Sequence, residues 1–167
     1  MNAKLPAPLP HPPRPPVSAA SLARTLGHAG LVPLVGLALL LWLVNAEASP
    51  YVALLMVAYA ALITSFLGGV HWGVVWAHQS GLAGPPALSD DAAKRHLVWG
   101  VVPSLLAWPG MLMPAYAALP WLGALLLACY AVDRRLFPPA GLSAWLTLRF
   151  RLSAVASLSC FIGAGAI

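Results

Sequence analysis

The sequence predicts an all-α fold: an integral membrane bundle of five transmembrane helices. Three observations predict it. The chain is 60% hydrophobic but only 8% charged, whereas a soluble domain carries about 25% charged residues. Its apolar stretches reach the roughly 20 residues that a membrane-crossing helix needs. Its nine Lys and Arg sit between those stretches rather than on one soluble face. The sequence pI of about 9.8 therefore reports membrane topology, and nucleic acid is excluded as a partner.

Residues 1–20 read as a disordered cytoplasmic tail. Seven prolines fall in MNAKLPAPLPHPPRPP, and such a stretch favours extended polyproline conformations and builds no core. A ligand for a proline-binding domain is the sharper reading of the same residues. The membrane domain spans 21–167, with helices expected at about 25–44, 51–77, 97–113, 117–132 and 144–166.

Each helix has its own warrant. The first two are continuous apolar runs, from Thr25 to Val44 and from Tyr51 to Ala77. The run from Leu97 to Val132 is 36 residues long, too long for one crossing, and Pro114 and Pro120 divide it. The last run, Leu152 to Ile167, has 16 residues and rises about 24 Å, short of a hydrocarbon core of roughly 30 Å. The fifth helix is therefore expected to begin near Ser143, with Arg149 and Arg151 snorkelling toward headgroups. AEA (46–48) resembles a signal-peptide cleavage site, but the preceding apolar stretch is longer than a signal core of about 7–15 residues.

Five crossings place all nine Lys and Arg on one side and none on the other. By the positive-inside rule the N-terminus is expected in the cytoplasm and the C-terminus outside. Trp42 and Trp121 fall at the expected outer boundary, and Trp76, Trp99 and Trp145 at the inner one, as aromatic belts require.

SFLGGVHWG (65–73) is the most pointed segment. At helical spacing Ser65, Gly69 and Gly73 share one face, four residues apart, and small residues so placed let helix backbones approach closely in lipid. Close packing is expected there, mostly within the chain. Thr64, Gly68, His71 and His78 form a neighbouring, mildly polar stripe. His71 is a buried imidazole that needs a partner. Pro103 has no N–H and leaves the carbonyl of Trp99 free, so that carbonyl is the expected acceptor. His71 and His28 are the only candidate haem ligands, and no cofactor or metal is expected. Asp133, at the end of helix four, is expected to pair with Arg149 or Arg151 across the turn FPPAG. Cys129 and Cys160 lie in apolar runs and make no disulfide framework.

The segments GLVPL (30–34), YAALITSFLGGVHWG (59–73), LVWGVVPSLLAW (97–108), YAVDRRL (130–136) and WLTLRFRLS (145–153) resemble a bacterial inner-membrane family of unknown function, domain of unknown function 3429, related to mitochondrial transmembrane protein 69. The likeness covers about residues 24–160. It implies a small multi-pass protein of the bacterial cytoplasmic membrane and carries over no activity or catalytic residue.

The sequence holds no phosphate-cradling glycine loop, HExxH motif or plausible catalytic triad. The leading expectation is a non-enzymatic membrane protein, a packing or assembly partner of other inner-membrane subunits or of itself, in contact with the lipid bilayer. A haem- or redox-associated subunit using His71 comes second. A small transporter or channel comes third, disfavoured because mid-membrane charge and paired broken helices are missing.

Overall fold

The computed structural model describes residues 18–84 and 87–167. Its secondary structure is helical throughout, in five rods. The first rod is α1 (Ala19–Ala29) followed by α2 (Val32–Leu41), and the others are α3 (Ser49–Gln79), α4 (Asp90–Gly110), α5 (Ala115–Leu136) and α6 (Leu146–Ala164). By length and composition four of these rods can cross a membrane: Ala19–Leu41, Ser49–Gln79, Ala115–Leu136 and Ser143–Ala164. The fifth, α4, packs along α3 but carries Asp90, Asp91, Lys94 and Arg95 in its first turns.

Local chemistry sets the ends. Ser18 caps α1, its Oγ accepting from the Ser21 N–H at 3.2 Å. The break after Ala29 reflects Pro33, which cannot donate to the helix. The carbonyl of Gly30 there accepts the Tyr59 hydroxyl at 2.9 Å. Ser89 caps α4 by accepting from Ala92 N–H at 3.3 Å, and Asp90 and Asp91 in the first turn favour the positive end of the helix dipole. Between α5 and α6, Pro138–Ala140 forms a 3-10 turn that ends at Gly141 with φ 75°, a conformation that favours glycine.

These ends correct several expected bounds. The first rod starts at Ala19, so residues 19–20 are helix rather than tail. The rest of the proline-rich segment, residues 1–17, lies outside the described residues. The third rod, α4, starts at Asp90, seven residues before the expected 97, because the Ser89 cap lies well ahead of the apolar run.

α3 and α5 are the central rods. α3 packs most extensively on α4, and α5 on α6, while α2 closes the bundle against α3 and α6. The apolar core holds Leu34, Leu41, Met56, Leu119, Leu122, Leu126 and Cys160. The closest backbone approach joins α3 to α4. A Cβ added at Gly68 would collide with the Gly100 carbonyl, and one added at Gly100 would strike the Trp72 indole. Ser157 on α6 donates to the Gly123 carbonyl on α5 at 2.8 Å, the interhelical polar contact expected of rods that pack without water.

Candidate functional site

Four rods converge on one buried polar chain. It begins on α4, where His96 Nε2–H donates to the Leu136 carbonyl of α5 at 3.2 Å. A hydrogen bond of 2.8 Å joins His96 Nδ1 to His71 Nδ1 on α3. His71 Nε2–H donates to Asp133 Oδ1 on α5 at 2.9 Å. The other carboxylate oxygen, Asp133 Oδ2, accepts Arg149 Nε–H from α6 at 2.6 Å. Arg149 Nη1 then donates to Ser153 Oγ at 3.0 Å.

His71, His96 and Asp133 are each 1% exposed. Phe137 covers the His71 ring, with centroids 5.3 Å apart. Burying a carboxylate is costly unless charge and hydrogen bonds compensate it. Here both carboxylate oxygens are engaged by cationic or N–H partners, so the chain is fully satisfied. Its members come from α3, α4, α5 and α6, and it ties all four at one end of the bundle.

His71 is therefore not bonded to the Trp99 carbonyl, the expected acceptor; its two ring nitrogens go to His96 and Asp133. Pro103 is buried beside Gly68, where it helps seat α4 against α3. Trp99 contributes a buried indole N–H without a hydrogen-bond partner among the described residues. The structure forms the Asp133–Arg149 pair, but inside the bundle, with the Arg149 side chain 11% exposed. Only Arg151 stays on the surface as a snorkelling cation would. His28 lies apart from this chain on exposed α1, its Nδ1 bonded to its own helix at the Arg24 carbonyl.

The glycine faces of α3 also sort differently from expectation. The stripe expected to pack within the chain, Ser65–Gly69–Gly73, points outward: all three residues are exposed, and a Cβ added at Gly69 or Gly73 would meet nothing within 4 Å. The inward face is the adjacent stripe of Thr64, Gly68 and His71.

His96 is the member that sequence reasoning missed. It lies directly before Leu97, where the apolar run starts, and so reads as a ring at the membrane interface. The signal that finds it is the Ser89-Asp90-Asp91 cap, which starts the helix early enough to carry His96 inside. Asp133 had a stronger signal, because it directly follows the apolar run that ends at Val132.

The chemistry open to this chain is proton holding and structural tying. The two imidazoles turn Nδ1 toward each other rather than converging on a third point. Among the described residues no group of three or more His, Cys, Asp or Glu is arranged to hold a metal ion. Ligation through His71 would break one of its two bonds.

A family model described as "Protein of unknown function (DUF3429)" matches residues 19–165. A relative from Xenopus tropicalis, Transmembrane protein 69, is 42% identical over 87 residues. That match covers 52% of this chain and 31% of the relative, so the chain spans under a third of the protein it resembles. No solved structure matches.

Proposed function

Since the chain belongs to the DUF3429 family, a family of unknown function, we propose that it acts as a non-enzymatic multi-pass protein of the bacterial inner membrane, serving as a packing partner for another membrane-embedded helix. One observation carries this reading: the outward Ser65–Gly69–Gly73 stripe on α3 is uncovered among the described residues. Exposed Phe66 and Trp72 border it. Small residues four apart make a groove that admits a second helix backbone, and in lipid such close packing drives association where the hydrophobic effect does not. The groove is self-complementary, so α3 of a second copy is its simplest occupant.

The polar chain supports a structural role for the interior. It is internally satisfied and ties α3 through α6, leaving no free nucleophile or open ring nitrogen at His71. In the bilayer all five rods cross, and the nine-to-none distribution of cations orients the N-terminus to the cytoplasm. Cysteine crosslinking tests the packing reading. Gly69→Cys in native membranes gives a crosslinked dimer, and Gly69→Leu abolishes co-purification of differently tagged copies. A chain that stays monomeric in lipid, and from which Gly69→Leu displaces no co-purifying subunit, defeats it.

A further inference from the structure

We propose that His96, His71 and Asp133 form a buried binding site for one exchangeable proton, and that its occupancy holds α3 closed against α4. The argument is a count of hydrogens. Three hydrogen bonds run along the chain: His96 to the Leu136 carbonyl, His96 to His71, and His71 to Asp133. Each requires one hydrogen between its heavy atoms. A carbonyl oxygen only accepts, so His96 Nε2 carries the first. The Nδ1–Nδ1 bridge holds the second, and the His71–Asp133 bridge holds the third.

Two neutral imidazoles and a carboxylate supply only two such hydrogens. Three hydrogen bonds at these distances therefore require one more proton than the neutral rings bring. Arg149 Nε–H lies on the other carboxylate oxygen at 2.6 Å, so the third hydrogen is placed on His71 Nε2 and the two rings together carry three. With it, the two rings and the carboxylate sum to zero charge, and Arg149 adds one positive charge.

Removing that proton leaves one bridge empty. Two bare ring nitrogens face each other at 2.8 Å across α3 and α4, or a bare nitrogen faces a carboxylate at 2.9 Å across α3 and α5, or a bare nitrogen faces the Leu136 carbonyl at 3.2 Å across α4 and α5. All three arrangements are repulsive, and each pushes on α3 or α4, the two helices of one seam. The Gly68–Gly100 contact leaves no slack between α3 and α4, since neither position tolerates even a Cβ. Loss of the proton is relieved by opening that seam.

The charged and titratable groups around the site are few. His78 faces it from α3, Cys129 and Asp133 from α5, and Arg149 from α6. On α4, Lys94 turns outward to Asp90 at 2.6 Å, and Arg95 donates to the Asp91 carbonyl at 3.2 Å. A cavity of about 230 Å³, lined by Val75, His78, Gln79, Leu88, Asp90 and Ala93, opens between α3 and α4. Val75 lies one helical turn beyond His71, and Ala93 one turn before His96.

The test uses the full chain in lipid bilayers, labelled with 15N-histidine. His11→Gln and His28→Gln are introduced together, and the His78 ring, bonded within its own helix to the Val74 carbonyl, is assigned separately so that the buried pair is read on its own. At pH 7 three of the four ring nitrogens carry hydrogen, and the two Nδ1 atoms show coupling across a shared hydrogen bond. Raising the pH until the count drops to two of four accelerates amide exchange around Gly68 and Gly100 by about tenfold, the scale of one lost buried hydrogen bond. Two protonated nitrogens of four at pH 7 overturns the site. A change in count without faster exchange overturns its link to the seam. Neither outcome depends on whether the Gly69 face finds a partner.

Discussion

The two ends of the bundle are held together by different physics. At one end, Leu41, Met56, Leu119, Leu122, Cys160 and Gly163 interlock without a charge among them. At the other, His71, His96, Asp133 and Arg149 are joined atom to atom. In lipid, apolar side chains gain little by leaving hydrocarbon for a core of the same polarity. The apolar end is therefore stabilised by fit alone, and its tolerance is graded. The polar end is all or nothing, because an unpaired member is stranded away from water.

Asp133→Ala should show the largest effect. It leaves Arg149 and His71 without their shared carboxylate, and breaking one partner of a buried charge pair costs about 3–5 kcal/mol. Reversible unfolding of the full chain in bicelles measures it. A loss no greater than that of a core truncation would mean that both ends obey the same rule.

Gly68→Val comes next. Its added carbons collide with the Gly100 carbonyl, and overpacking a tight site costs about 1–3 kcal/mol. The same assay reads it, and Gly36→Val on the exposed face of α2, where an added Cβ meets nothing within 4 Å, serves as the control with an effect below about 0.5 kcal/mol.

Leu122→Ala probes the apolar end. Leu122 is fully buried. With little transfer energy to lose in lipid, the cost is mainly the cavity, about 1–2 kcal/mol at roughly 24 cal/mol per Å³. A loss of about 4 kcal/mol or more would show that this core gains from burial as a soluble core does.

Ser157→Ala removes the hydroxyl that bonds the Gly123 carbonyl and sharpens the lower bound. Hydrogen bonds between membrane helices average about 0.6 kcal/mol, so the expected loss is several-fold smaller than that for Asp133→Ala. Combined with Leu122→Ala, it also reports whether neighbouring contacts between α5 and α6 add.

The helices were legible because hydrocarbon imposes a simple demand, long apolar runs with polar interruptions. The Asp133–Arg149 pair was legible as well, since a short turn brings the two rods together whatever their tilt. The partner of His71 was not. Choosing between the Trp99 carbonyl and His96 depends on the relative depth of α3 and α4, and depth depends on where α4 begins. The Ser89 cap moves that start back by nearly two turns. The inward face of α3 was hidden for a related reason. Ser65–Gly69–Gly73 and Thr64–Gly68–His71 lie one residue apart, about 100° around the helix, and both look suited to packing until the neighbouring rod chooses.

The length of α3 has a bearing on water. Its 31 residues rise about 46 Å, some 16 Å more than a hydrocarbon layer of roughly 30 Å. Tilt alone would have to approach 50°, beyond the range of about 0–40° seen for membrane helices. Part of the rod must stand clear of the acyl chains. With the excess shared between its ends, the His71 backbone, about 12 Å from the last residue of the helix, lies only a few ångströms beneath the headgroups. An imidazole shielded by protein is thereby placed within one helical turn of the aqueous phase.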